Sequence, residues 1–153
     1  MTTVIRLSSE PINPGALLGR FCEGRTATGA VASFAGLVRD EAGAAQALEL
    51  EAYEGFTDRA VADAAAAAVA RFDLQDLLVV HRTGRIEVGE AVVFVACAAA
   101  HRRAAFEACD HMMDYLKSRA PFWKKSHGPD GARWIEPTQT DLADARRWDQ
   151  EDA

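Results

Sequence analysis

The sequence predicts an α+β fold with a mainly antiparallel sheet, and three observations carry that expectation. Short apolar or alternating stretches outnumber the helical ones, they do not alternate strictly with helices as a wound parallel sheet requires, and Gly or Pro punctuation separates them at short intervals. At 153 residues the chain fits one domain, taken as 1–153 with a polar tail over 138–153, large enough for a core without disulfide staples.

Val4 to Leu7 alternates as a first strand. Asn13-Pro14 then offers an N-cap and an N1 proline to a helix that runs to about Glu23 and stops at Gly24. Gly29 to Arg39 is apolar and strand-like, and Asp40 to Gly43 is a polar loop, so Arg39 falls at a strand end. Gln46 to Tyr53 alternates, with Leu48, Leu50 and Ala52 on one face and Glu49, Glu51 and Tyr53 on the other.

Thr57-Asp58 is the expected cap of a helix reaching about Phe72, whose alanine tract suits close packing. Leu77 to His81 and Ala91 to Ala99 read as apolar strands, joined through a segment with turn glycines, Gly84 and Gly89, near its ends. From His101 a helix is expected to put Ala105, Phe106, Cys109, Met112, Met113 and Leu116 on one apolar face, and Pro121 stops it by about Ala120. Beyond it, Phe122 to Lys125 and Arg133 to Glu136 are extended pieces around the turn residues Gly128 to Gly131, and the tail is helical around Asp141 to Trp148, with Trp148 a candidate anchor.

Composition narrows the function. With 49% hydrophobic and 26% charged residues and no long apolar run, the chain reads as a globular protein outside the membrane. A start without a basic, apolar leader predicts a cytoplasmic location. Cys22, Cys97 and Cys109 are odd in number and widely spaced, which predicts buried inert thiols, and neither they nor the four histidines show metal-ligand spacing, so no metal is expected. A net charge of -6 disfavours nucleic acid and leaves room for one small anion at a basic pocket.

Such a pocket has a candidate. Between Lys117 and Lys125 four of nine side chains are cationic. An ammonium among other cations, beside Phe122 and Trp123, loses solvation and is repelled, and both effects lower its pKa toward useful proton-transfer values. Lys117 and Lys124 are therefore the catalytic candidates, set against a solvated basic face with Trp123 in the core. On one continuous helix they would lie about 10.5 Å apart along the axis, so the break at Pro121 must fold them together. One amine would then attack or take a proton while the other, still charged, holds an anion or oxyanion. His101-Arg102-Arg103 opens the preceding helix, where free N–H groups favour an anion, unless the arginines merely pair with Glu107. Roughly 24 Å of helix separates His101 from Lys117, so a shared site would need a second subunit.

Phe34-Ala35-Gly36-Leu37-Val38-Arg39, His81-Arg82-Thr83-Gly84, His101-Arg102-Arg103-Ala104-Ala105-Phe106 and the run from Lys117 to Lys125 together resemble the large, catalytic subunit of molybdopterin synthase over nearly the whole chain. The resemblance implies an α/β hammerhead type of fold and a homodimer within a heterotetramer. A small ubiquitin-like sulfur-carrier subunit would present its C-terminal Gly-Gly thiocarboxylate to the lysines. Cyclic pyranopterin monophosphate would receive two sulfurs and become the dithiolene of molybdopterin, in molybdenum cofactor biosynthesis, with no cofactor required. It further implies that Lys117 and Lys124 are the essential lysines and that Arg39, Leu37, Val38, His101, Arg102, Lys125 and Ser126 bind substrate. The family usually carries a glutamate where this chain has Ser126, which removes a carboxylate from beside the lysines. The alternative is a non-catalytic dimeric scaffold, or a reduced-activity paralogue, that docks the carrier tail. Phosphoryl or acyl transfer fits less well, because neither a Walker-type loop nor a serine elbow is present.

Overall fold

The computed structural model describes residues 3–43 and 45–149. Its strands are β1 (Thr3–Ser8), β2 (Ala30–Leu37), β3 (Ala47–Ala52), β4 (Asp76–Arg82), β5 (Gly84–Glu87), β6 (Ala91–Ala99), β7 (Phe122–Gly128) and β8 (Gly131–Ile135). The helices are α1 (Pro14–Cys22), α2 (Thr57–Phe72), α3 (Arg102–Ser118) and α4 (Gln139–Arg146), the last running into a 3-10 turn at Arg147–Asp149. The α+β expectation holds. Among the described residues two four-stranded sheets form, ordered β1-β4-β6-β2 and β5-β3-β7-β8, and only the β1–β4 pair is parallel.

Strand β6 shows why the first sheet is central. Its unbroken apolar run is buried on both faces, as expected for a strand covered by helices on either side. Val93, Val95, Cys97 and Ala99 point into the cluster under α2 and α3, whereas Phe94, Ala96 and Ala98 meet Leu17 and Phe21 of α1. The alanines of α2 do what a small-residue tract permits: Ala65 and Ala68 are fully buried and bring that helix close. A third, smaller cluster of Val38, Leu50 and Ile86 fills the seam between the sheets.

The local signals read from sequence were uneven. Asn13 caps α1 through its side chain, accepting from the Ala16 N–H at 3.1 Å, with Pro14 at the first helical position. Gly84 and Gly89 adopt φ of 78° and 90°, where a side chain would be strained. The segment between them is not merely a connector, however. It contains β5, which pairs with β3 from Ala47↔Glu87 to Leu50↔Gly84 and so carries the chain from one sheet into the other.

Thr57 does not cap α2. The N-cap position is Phe56, without a side-chain bond, and Thr57 is the first helical residue. Its fully buried hydroxyl accepts from the Tyr53 N–H at 2.8 Å and donates to the Pro121 carbonyl at 3.0 Å. It thereby ties the start of α2 to the break that follows α3.

Three other expectations are corrected by packing. Phe106 is 65% exposed rather than part of the buried face of α3, because it lies on the flank turned from the sheet. Trp123 is likewise exposed, on the outer face of the second sheet. Cys22 is exposed at the end of α1, whereas Cys97 and Cys109 are buried; their mutual hydrogen bond and then burial push the Cys97 thiol up. Trp148 does anchor the C-terminal segment: it is buried and its indole N–H donates to Asp114 at 2.7 Å. Arg147 and Arg119 reinforce that docking through Asp114 and Asp149, each at 2.7 Å.

Replacing Thr57 by Val keeps the shape and takes this partner from two part-buried backbone groups, the Tyr53 N–H and the Pro121 carbonyl. Urea denaturation of T57V should show a loss of about 1–3 kcal/mol; an unchanged midpoint would mean that water satisfies both groups equally well.

Candidate functional site

The strand alternation of the second sheet builds the site. Strand β7 pairs with β3 in the register Ala52↔Phe122, Leu50↔Lys124 and Leu48↔Ser126, so these six side chains share one face. Strand β8 continues that face through Ser126↔Arg133 and Lys124↔Ile135. The opposite face holds Trp123, Lys125 and Trp134, with the Lys125 amine 4.5 Å from the Trp134 ring centroid and the two indoles edge to face at 5.9 Å.

Over the inner face lies a cavity of about 660 Å³, lined at its apolar side by Leu50, Val93, Met113, Leu116 and Phe122. Lys117, from the last turn of α3, and Lys124, from β7, both enter it. Pro121 ends the helix between them, and the chain reverses into β7. The break expected from sequence thus brings the two lysines to one cavity.

Leu37, Val38 and Arg39 also line the cavity, at its outer edge. Val38 is buried, held by its N–H to the Glu90 carbonyl at 3.0 Å, while Leu37 is exposed and Arg39 pairs with Glu41 at 3.0 Å in solvent. A register shift at Gly36/Leu37 ends the regular β2–β6 ladder just before these residues, which turns them from the sheet toward the cavity. Ser126 lies on the floor between this cavity and a neighbouring one of about 440 Å³ under the β7–β8 turn, and Arg133 touches both.

Other expected residues fall elsewhere. Lys125 is on the outer face of β7, because adjacent strand residues point to opposite sides, and it does not line the cavity. His101 is the N-cap of α3, without a side-chain cap bond, and Arg102 is its first helical residue. Both are exposed at the end of α3 opposite Lys117, so one chain does not bring them to the lysines. The cavity instead gains residues that sequence reading did not single out for it. They are His81, Met113, Arg133, Glu136 and Asp141.

Electrostatics distinguishes the lysines. The Lys124 pKa is lowered from 10.5 to about 8, first by burial and second by the Lys117 charge, while Asp141 opposes the shift. Asp141 is fixed for this task by the capping box of α4, in which its carboxylate accepts from the Thr138 N–H at 3.1 Å and its own N–H donates to the Thr138 hydroxyl at 3.1 Å. An amine near pH 8 is present in both protonation states under physiological conditions, so it can act as nucleophile, base or acid. Phe122, not Trp123, is the aromatic on the lysine side. Among the described residues no group of three or more His, Cys, Asp or Glu side chains converges as a metal site, and no helix is long and apolar enough to cross a membrane.

Because the folded pKa of Lys124 lies below the unfolded one, the unfolded chain binds more protons between about pH 8 and 10.5, and stability rises with pH across that window. Below it the folded state carries the full cost of a buried ammonium. Lys124→Met should therefore be more stable than the parent at pH 7, by up to about 3 kcal/mol, in chemical denaturation. The pH dependence of Lys124 acylation, followed by peptide mass spectrometry, should shift upward in K117A and S126E and downward in D141N; coincident profiles for K117A and the parent would remove the charge coupling.

Comparison with known proteins shows the family. Residues 7–119 match the MoaE protein family. The molybdopterin synthase catalytic subunit of Caulobacter vibrioides is 66% identical over 148 residues, covering 97% of this chain and 99% of that protein. That of Pseudomonas aeruginosa is 45% identical, covering 95% and 99%. Among solved structures, a molybdopterin biosynthesis MoaE protein from Burkholderia ambifaria superposes with a TM-score of 0.81 at 40% identity, covering 96% of this chain and 98% of its own. Molybdopterin synthase from Staphylococcus aureus gives 0.76 at 27% identity, covering 85% and 95%. The chain belongs to the MoaE family, to which these molybdopterin synthase catalytic subunits are its relatives.

Proposed function

We propose that this chain is the catalytic subunit of a molybdopterin synthase, a sulfurtransferase that moves sulfur from the C-terminal thiocarboxylate of a small ubiquitin-like carrier to cyclic pyranopterin monophosphate. The observation that carries this reading is the convergence of Lys117 and Lys124 on one cavity, with Lys124 held near pH 8. The relatives' names point to the same activity.

The proposed division of labour follows from charge and burial. Lys124, the more easily deprotonated amine, stabilises or adds to the carbon that receives sulfur. Lys117 orients the anionic thiocarboxylate, whose sulfur bonds to the substrate carbon as an oxygen of that carbon is displaced, and manages protons as water then cleaves the acyl–sulfur bond and the carrier leaves as a carboxylate. The two roles are exchangeable on charge alone. Arg39 and Arg133 at the cavity edge supply cations for the substrate phosphate, with Leu37, Val38 and Ser126 forming the walls around it. Two such transfers, each using one loaded carrier, complete the dithiolene.

A homodimer inside a heterotetramer belongs to the same proposal. His101 and Arg102 lie across α3 from the cavity, so they serve a phosphate only if a second copy presents them to this chain's lysines. The cytoplasm, where loaded carrier and pterin precursor meet, is the proposed location. The rival reading, a carrier-docking scaffold or a reduced-activity paralogue, draws on Ser126, which places a hydroxyl where a carboxylate would balance the lysines.

Mixing the protein with thiocarboxylated carrier and pterin precursor should yield dithiolene in a single turnover, and K117A and K124A should each lose about a hundredfold or more in rate. Tight carrier binding without dithiolene would favour the scaffold. Near-normal transfer in both variants would overturn the lysine assignment.

A further inference from the structure

The cavity wall includes an imidazole that the lysine chemistry does not use. His81 ends the row of β4 that begins with the core residues Leu77 and Val79; it lines the cavity and is only 4% exposed. Its ring stacks on Phe122, with centroids 4.2 Å apart and planes 20° from parallel. Nδ1 lies 2.9 Å from the Arg82 carbonyl oxygen. A carbonyl oxygen only accepts, so Nδ1 carries the proton and donates it there. In the neutral ring this leaves Nε2 with a lone pair and no proton. Stack and hydrogen bond together fix both the plane of the ring and its tautomer.

The ring also stays neutral. Its pKa is lowered from 6.5 to about 4, chiefly by burial, with the charges of Lys124 and then Lys117 adding to the shift and the Arg82 bond opposing it. The charged groups facing it are thus the two cavity lysines. Protonating a third group among them is disfavoured throughout the physiological range.

The surrounding groups sharpen what such an acceptor is for. Lys117, Lys124, Arg39 and Arg133 all donate and all attract anions, the carboxylates Glu41, Glu136 and Asp141 are charged acceptors, and the hydroxyls of Ser118, Ser126 and Thr138 can donate as well as accept. Among the described side chains that line the cavity, His81 is the one that carries a neutral acceptor without a donor and stacks on Phe122. A phosphate or thiocarboxylate oxygen would be repelled by that lone pair, whereas an amide or amine N–H of a flat heterocycle would be satisfied by it.

We propose that His81 is a substrate-reading residue, whose Nε2 accepts a hydrogen bond from a ring or exocyclic N–H of the pterin while the lysines and arginines hold the anionic groups. This deepens the sulfurtransferase reading and rests on it. It assigns the two ends of the substrate to different chemistry: cations recognise its phosphate, and a fixed neutral imidazole recognises its heterocycle. A site built around such a bond discriminates against analogues that lack the donor, because a bound ring displaces the water that would otherwise satisfy the acceptor.

The test uses the full chain with thiocarboxylated carrier and cyclic pyranopterin monophosphate. H81F keeps an aromatic ring on Phe122 and removes the acceptor; H81Q returns an amide oxygen near the position of Nε2. H81F should raise KM about tenfold with kcat within about twofold, and H81Q should recover most of the loss, at thermal midpoints close to the parent's. Unchanged KM in H81F, or equal losses of KM, kcat and midpoint in both variants, would overturn the assignment. Should H81F fail to fold, 15N-imidazole NMR of the parent decides: the Nε2 resonance should move when the pterin is added, and a stationary resonance with the substrate bound would overturn it. Absence of dithiolene with the parent protein would instead count against the sulfurtransferase reading, and the NMR titration would still test His81 by itself.

Discussion

The site depends on keeping the Lys124 amine buried in a cavity beside the more exposed, charged Lys117. Burial and the Lys117 charge both disfavour an ammonium at Lys124, and the Asp141 carboxylate pulls the other way. That balance is possible because the groups come from separately fixed elements. Lys117 rides on the end of a long helix packed against the central sheet, Lys124 on a strand of the second sheet, and Asp141 on a capped helix docked through Trp148. A flexible loop carrying the same three residues would let the two amines separate and the Lys124 ammonium recover its hydration.

The seam between the sheets is where this becomes possible. Strands β4 and β5 are nearly continuous in sequence yet belong to different sheets, and Gly84 takes the backbone conformation that permits the change. Phe122, beside the seam, packs on its small apolar cluster and stacks on His81. Thr57 adds a second clamp by holding the Pro121 carbonyl from the start of α2. Apolar packing, a turn residue and one buried hydroxyl therefore fix the relative position of the lysines before any ligand arrives.

Much of this was legible in the residues. Asn13-Pro14, the continuous run in β6, the alternation of β3 and the stop at Pro121 are local signals, written in caps, periodicity and proline sterics. So was the lysine pair, since charge clustering beside an aromatic needs no tertiary knowledge. What stayed hidden depends on contacts distant in sequence. The four residues of β5 are too few to show a period, and they become a strand only through pairing with β3. Thr57 looked like a cap because its chemistry suits one, but Pro121, 64 positions away, claims its hydroxyl. Phe106 shares helical spacing with the buried face and lies on its exposed flank, and Lys125 belongs to the cationic run but to the wrong parity of its strand. Asp141 and His81 enter the cavity from segments that flank neither lysine, so proximity in sequence carried no hint of them.

Parity in β7 has a further consequence for how the chain tolerates change. The turn at Pro129-Asp130, between the paired Gly128 and Gly131, fixes how β8 lies against β7. Sliding β7 along β3 by one position would swap its two rows, sending indoles inward and the reactive amine out to bulk solvent. Hydrophobic content would barely alter, so such a frame error could leave an outwardly intact molecule without a working centre. Insertions and deletions around this hairpin are consequently constrained by counting, odd lengths being far more harmful than even ones, although no atom of the turn need touch the substrate.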